Sequence, residues 1–412
     1  MKPATTRNPQ ESATDRYFQR RTKLRRGAGF LALLALPQAT MIHAADTPKV
    51  NPLLESAPLE ELWDLATLYK DGNNPILEEF KLRGRYQGQY WDVDADQGSQ
   101  SHWEDRRSRF GFDAKLFEKQ LEARVDFQSN DGFEDIYDGL VDAYLRWKPL
   151  DGLSITAGKT KSLIAPYDWL ESSNSQPTFE RSQIFNQLNV NRATGLTVEY
   201  TTGPWYFQSG VYSNDTPSNT GGTGSWGDGE FGDFNGGVSF SLGAGYDFAK
   251  SICTDKALLR FDWIHSDREA GDLVLGVYDD ILSTSFVVKK DAAQLVVEGY
   301  YASGGDGTNS DVFGFFIQPT YDILPNQLQL VGRYSFATSD GDFGVVGQGR
   351  YERKVAAAGG RGDLYQAVYG GIQYFIYGDR LKFMAGAEWS RLDGSPDAYD
   401  GVTLLTGVRM SF

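Results

Sequence analysis

The chain is 412 residues long, with 40 Lys and Arg against 55 Asp and Glu, 46 glycines, 14% aromatics and a single cysteine. A net charge of −15 makes nucleic acid an unsuitable partner, and the lack of any run of about 18 apolar residues excludes a helical membrane span. Cys253 alone supports neither a disulfide framework nor a cysteine metal site; the mean hydropathy of −0.43 leaves a membrane barrel open, because only alternate strand residues face lipid.

Residues 1–45 read as a secretory signal. Arg20, Arg21, Lys23, Arg25 and Arg26 form a basic region, Gly27 to Leu36 a short apolar core, and Ile42-His43-Ala44 a small-residue cleavage site. Without the 8 basic and 2 acidic residues of this leader, the remainder holds 32 basic and 53 acidic residues, net −21. Residues 46–77 are expected to be a periplasmic segment with one short helix. Leu59, Leu62, Trp63, Leu65, Ala66 and Tyr69 recur at helical spacing until Gly72 and Pro75 end it. About three turns are marginal alone, so the helix should pack on a barrel rim, plug its mouth, or stay a partly ordered leader.

From Glu78 the period becomes two. Phe80, Leu82, Gly84, Tyr86, Gly88 and Tyr90 share one face, and Lys81, Arg83, Arg85, Gln87 and Gln89 the other. The next strands set Phe110, Phe112, Ala114 and Leu116 against Arg107, Arg109, Asp113 and Lys115; Leu121, Ala123, Val125 and Phe127 against Glu122, Arg124, Asp126 and Gln128; and Val141, Ala143, Leu145 and Trp147 against Asp142, Tyr144, Arg146 and Lys148. Connections alternate in length. Short links fall at 118–120, 149–152, 203–204, 249–256, 290–291, 324–327 and 377–380, long ones at 92–104, 129–139, 159–192, 213–236, 266–280, 302–311, 339–363 and 390–401. Sixteen strands follow, and an even count leaves both ends on the short-turn side, as in outer-membrane barrels. The fold expected is all-β, a sixteen-stranded antiparallel transmembrane barrel over 78–412.

The third long link, Lys159 to Arg192, mixes apolar anchors (Leu163, Ile164, Trp169, Phe179, Ile184, Phe185, Leu188) with charges of both signs. Long loops in compact folds are functional or disordered, and these anchors argue against disorder. Such a segment can fold inward and narrow a lumen. The final strand, Val402 to Phe412, ends on an aromatic carboxy-terminus, which resembles the signal read by the outer-membrane assembly machinery.

Trp103-Glu-Asp-Arg-Arg-Ser-Arg-Phe-Gly-Phe112, Asp142-Ala-Tyr-Leu-Arg-Trp-Lys148, Ala157-Gly-Lys-Thr-Lys161 and Glu180-Arg-Ser182 together resemble the phosphate-selective porin O and P family. The similarity spans roughly 78 to 412 and is clearest from 103 to 200. It implies a homotrimeric outer-membrane pore in which arginines and lysines guide anions through a constriction. The acidity of the chain departs from that pattern, so fold carries over better than selectivity.

Arg83, Arg85, Arg107, Arg109, Arg124 and Arg146 share inward parity on the first four strands. With about 4.8 Å between neighbouring strands, they form one basic wall able to make bidentate contacts with phosphate or carboxylate. Pairing with Asp113, Glu122, Asp126 and Asp142 on the same wall would instead neutralise them, and the sequence leaves both open. The loop offers Asp168, Glu171 and Glu180 with Lys159, Lys161, Arg181 and Arg192; its acids facing the wall would set a transverse field. Parity points Lys159 outward unless the strand bends at Gly158.

Other patterns carry little. Gly222-Thr-Gly-Ser-Trp-Gly227 has dinucleotide-binding letters without the strand and helix that mechanism needs. Asp92, Asp94 and Asp96 begin like a calcium loop that is out of step beyond them. The expectation is a non-enzymatic porin, without cofactor or metal, for passive diffusion of small anions such as phosphate. Its partners would be the lipid bilayer and lipopolysaccharide. A general or sugar-conducting porin is the alternative; a barrel hydrolase built around His265 and an adhesin with a blocked lumen are the readings of other classes.

Overall fold

The computed structural model describes residues 56–129, 131–214, 231, 234, 237–268, 277–305, 308–356, 360–394 and 398–412. The leader over 1–45 and the Gly222–Gly227 stretch lie outside the described residues. Sixteen antiparallel strands make the wall: β1 Leu77–Ala95, β2 Gly98–Leu116, β3 Leu121–Ser129, β4 Gly139–Leu150, β5 Leu153–Lys161, β6 Arg192–Thr202, β7 Trp205–Ser213, β8 Gly237–Asp247, β9 Lys256–Arg268, β10 Asp280–Lys290, β11 Ala293–Ser303, β12 Val312–Leu324, β13 Leu328–Ser339, β14 Leu364–Phe375, β15 Leu381–Asp393 and β16 Tyr399–Ser411. Each pairs with the next, and β16 pairs with β1 from Gly401↔Ala95 to Ser411↔Arg85, so the sheet closes and leaves no free edge.

Period-two patterning sorts the side chains. Leu145, Phe261, Leu282 and Leu404 stand exposed on the outer face, where the bilayer replaces water, while Gln87, Gln89, Thr403 and Arg409 are buried inside. Short turns join strands at one rim; in the first, Phe117, Glu118 and Lys119 all take positive φ (53°, 57° and 60°).

Three sequence expectations change. The stretch 92–104 is no loop: β1 and β2 run 19 residues each and turn through Asp96-Gln97 alone, because the alternation simply continues. Val141 is skipped by a bulge between Asp126↔Asp142 and Phe127↔Leu140, which buries it completely. The amino-terminal helix, α1 (Ser56–Asp64), stops before Leu65, and Tyr69 lies in a short strand, Thr67–Lys70.

That short strand pairs with Glu79, Phe80 and Lys81 of β1, the rungs just beyond the end of β16. Two strands therefore share one edge of β1 end to end. Phe412 and Gly84 exchange backbone hydrogen bonds (3.0 and 3.2 Å), and a Cβ on Gly84 would sit 2.1 Å from Cζ of Phe412, so only glycine lets the terminal ring lie flat there. Trp63 of α1 donates from Nε1 to the Ser411 carbonyl (2.6 Å) and meets Tyr377 edge to face. These contacts place α1 against the seam at the short-turn rim.

Between β5 and β6 the chain turns inward. Ile164, Ala165, Ile184, Leu188 and Val190 are fully buried, and α2 (Gln183–Leu188) forms within the segment. Ser182 caps α2 by accepting from the Phe185 N–H, and Asn189 ends it in the left-handed conformation (φ 54°). Apolar side chains from the wall, among them Tyr300, Val312 and Phe316, complete a core inside the barrel. The apolar anchors of this loop thus play the part that a core plays in a soluble domain.

Candidate functional site

The inward loop crosses the lumen and is bolted to the wall at both sides. Leu163 N–H donates to the Tyr212 hydroxyl (3.0 Å), and the Asp168 N–H donates to Glu298 on β11 (2.8 Å). Phe185 packs on Tyr300 and stacks on Trp169. Farther along, Arg333 of β13 donates to the Glu180 carbonyl (2.7 Å), and Arg409 of β16 donates to the carbonyls of Ser173, Gln176, Thr178 and Phe179 (2.5–2.9 Å). Arginine suits this task because its fan of donors can satisfy several loop carbonyls at once.

Two cavities lie where the loop faces the first strands. The larger, about 240 Å³, is lined by Arg83, Gly84, Arg85, Arg109, Asp126, Ser172, Arg380, Ser411 and Phe412. The smaller, about 10 Å³ and so no larger than a water site, is lined by Arg85, Arg107, Arg109, Lys161, Trp169, Ser173, Arg181 and Arg192. Arg85 and Arg109 belong to both, so the cavities adjoin.

The wall arginines divide into two groups. Arg83 is bridged to Asp113 (2.8 Å) and Asp126 (3.0 Å), Arg124 to Asp113 (2.6 Å) and Glu122 (3.4 Å), and Arg146 reaches Glu122 at 3.9 Å. Near the loop the pattern reverses. Arg85 donates to Ser173 Oγ (3.0 Å), Arg107 to Gln87 Oε1 (2.8 Å) and Arg109 to Gln128 Oε1 (3.2 Å), all neutral acceptors. Lys161 donates to the carbonyls of Trp169, Leu170 and Glu171, and Arg181 to those of Asp168 and Trp169. Among the described residues none of these five cations pairs with a carboxylate. Arg192 does, with Asp142 at 2.7 Å. The cations of Lys161, Arg181 and Arg192 all lie 5.1–5.6 Å from the centre of the Trp169 ring, whose π-face helps hold them together.

Of the three loop acids Glu180 reaches a wall arginine, while Asp168 and Glu171 accept from the loop's own backbone. The Asp168 carboxylate accepts from the Ser182 N–H and hydroxyl at the start of α2 (3.1 and 2.5 Å), and Glu171 accepts from the Ser172 N–H. Glu180 takes a two-pronged contact from Arg106 (2.6 and 2.9 Å). Burial alone would raise the Glu180 carboxyl, but the charge and hydrogen bonds of Arg106, with Arg107 and Arg350 beyond, hold it well below the usual range. Burial lowers Arg181 to about 10, an effect that Asp168 only partly opposes. Lys159 is buried on the row of Ala143 and Thr194, apart from both cavities. Strand parity missed Arg106: a bulge between Gln87↔Arg107 and Gly88↔Asp105 turns it inward beside Arg107. Arg333 and Arg409 were missed as well, since only the folded loop reveals what they hold.

A closed sixteen-stranded barrel with a loop folded into its lumen is the architecture that outer-membrane porins share, and the protein is located in the bacterial outer membrane. Residues 80–246 match the family described as phosphate-selective porin O and P, the family that the motifs between 103 and 200 resemble. An uncharacterized protein of Caulobacter vibrioides is 28% identical over 184 residues, 43% of this chain and 35% of that relative. The chain therefore spans about a third of the length of the curated relative that it matches. Among solved structures, Pseudomonas putida OprB (11% identity, TM-score 0.56, 81% of this chain and 94% of that one) shares the fold. So do Salmonella typhi OmpF (14%, 0.55, 84% and 100%) and an anion-selective porin from Comamonas acidovorans (11%, 0.54, 81% and 99%).

Proposed function

We propose that the protein is a non-enzymatic channel for the passive diffusion of small anions, phosphate among them. One observation carries this reading: Arg85, Arg107, Arg109, Lys161 and Arg181 converge on one constricted cavity with only neutral acceptors between them, in a chain whose net charge is −15. Inside a narrow lumen the effective dielectric falls below that of water, so a few uncompensated cations decide which ion enters. In this reading residues 1–45 are removed on export and 46–77 sit at the periplasmic rim. Residues 78–412 are inserted by the outer-membrane assembly machinery as a homotrimer among lipopolysaccharide and lipid.

Reversal potentials in a salt gradient test the reading. The unmodified pore should prefer anions, and the double change Arg85→Glu with Arg107→Glu should move the potential toward cations, less so at high salt where screening shortens to about 3 Å. Arg83→Gln, which removes a bridged cation, should leave selectivity nearly unchanged. An unmodified pore that prefers cations would defeat the anion reading and leave a general or sugar-conducting porin.

A further inference from the structure

Trp169 is 1% exposed and sits where the inward loop meets the first strands. Phe185 stacks on its ring (5.4 Å between centres, 27° between planes) and packs in turn on Tyr300 of β11 (6.0 Å), so the apolar core braces the indole. The ring centre lies 5.1 Å from the Lys161 ammonium, 5.1 Å from the Arg181 guanidinium and 5.6 Å from that of Arg192. Three like charges gathered this closely repel one another. Among the described residues no loop acid pairs with any of them: Asp168 accepts from Ser182, Glu180 from Arg106 and Glu171 from the Ser172 N–H. Backbone carbonyls supply part of the hold, among them that of Trp169 itself, which accepts from Lys161 (2.5 Å) and Arg181 (3.4 Å). The π-face adds attraction without adding a negative charge.

Resting on the anion-channel reading, we propose that Trp169 is a positioning residue for selectivity, an uncharged side chain whose ring gathers Lys161, Arg181 and Arg192 beside the narrow gap. A carboxylate in the same place would gather them too, but it would cancel one charge and weaken the field on a passing anion. An aliphatic side chain would leave three mutually repelling cations with the carbonyls and Asp142 to hold them. The long side chains would then spread, with Lys161 free to turn toward Asp142 on the neighbouring strand, and pairing there would neutralise it. The Nε1 of Trp169 is buried without an acceptor, so the ring acts here through its face and its bulk rather than through a hydrogen bond.

The test compares Trp169→Phe with Trp169→Met, two side chains of similar volume of which only the first keeps a π-face. Reversal potentials of the full protein in planar bilayers, in a dilute potassium chloride gradient, give the ratio of chloride to potassium permeability. Limited proteolysis within 162–191 reports on the loop in the same samples. Trp169→Phe should keep most of the ratio, whereas Trp169→Met should lower it about threefold to tenfold, with the loop equally protected in both. If both variants lose the ratio equally, or neither does, the ring is packing alone and this inference falls while the channel reading stands. A fall in the Met variant that comes with faster cutting of its loop overturns it as well. An unmodified pore that prefers potassium overturns the channel reading itself. Should Trp169→Met not assemble, Trp169→Leu takes its place with the same expected result.

Discussion

Arg106 carries a residue-scale lesson. Counting by twos from Phe110 and Phe112 aims it at lipid, yet the bulge beside Gln87 brings it into the lumen to grip Glu180. A bulge adds one residue to one strand and leaves no mark in hydrophobic alternation, so parity could not see it. Arg83, Arg85, Arg107 and Arg109, by contrast, keep the inward facing that alternation gives them. What alternation could not supply was which of them meet a carboxylate, because that depends on side-chain reach across strands. The Arg106–Glu180 pair is almost fully buried, at 5% and 2% side-chain exposure, so removing one partner strands the other. Glu180→Gln should loosen the inward loop by about 3–5 kcal/mol. Limited proteolysis should then cut within 162–191 while the barrel's thermal transition stays in place; unchanged protection of that loop would count against the pair as its anchor.

At the scale of elements, the inward loop is held from outside by another. Gln187 donates to the Gly344 carbonyl (2.7 Å) and accepts from the Val346 N–H (3.1 Å), and Arg350 reaches Glu104 at 2.9 Å. The link at 339–363 was legible as long but not as a second inward fold, because its contacts are made with residues more than a hundred positions away. Glu352 lies at the base of this fold, accepting from the Tyr365 hydroxyl (2.7 Å) and the Gln348 N–H (2.6 Å). Burial, then the nearby Glu388, raises its carboxyl from the usual 4.5 to about 7. The neutral acid is the form the fold prefers. Stability from this site is therefore full below about 4.5 and is lost as pH rises through about 7. Hydrogen exchange at the Gly347 amide, which donates to Gly360, should quicken above neutral pH beyond its intrinsic rise. Glu352→Gln should remove that extra dependence; if it persists in the variant, another group is responsible.

For the whole molecule, the sixteen strands and the closure between the last and the first were readable, since alternation and the length of the links are local properties. The pairing of Thr67–Lys70 beneath the end of β16 was not, because four residues have no resolvable period and their place is set only when the barrel has closed. The register itself can be challenged. Leu82, Phe110, Val125, Leu145 and Val408 share the outward face, and Arg at each should cost about 2–4 kcal/mol near mid-membrane in folding titrations with lipid vesicles. Arg at inward neighbours such as Gln89 should be tolerated far better, and equal penalties on both faces would refute the register. The two adjoining cavities have one more consequence. They share Arg85 and Arg109, so the same two guanidinium groups serve whatever sits in either. An ion held in the larger cavity would draw on guanidinium groups that also line the narrow gap beside it. Those two side chains would then pass an ion from the larger cavity to the gap without a break in the donors that face it.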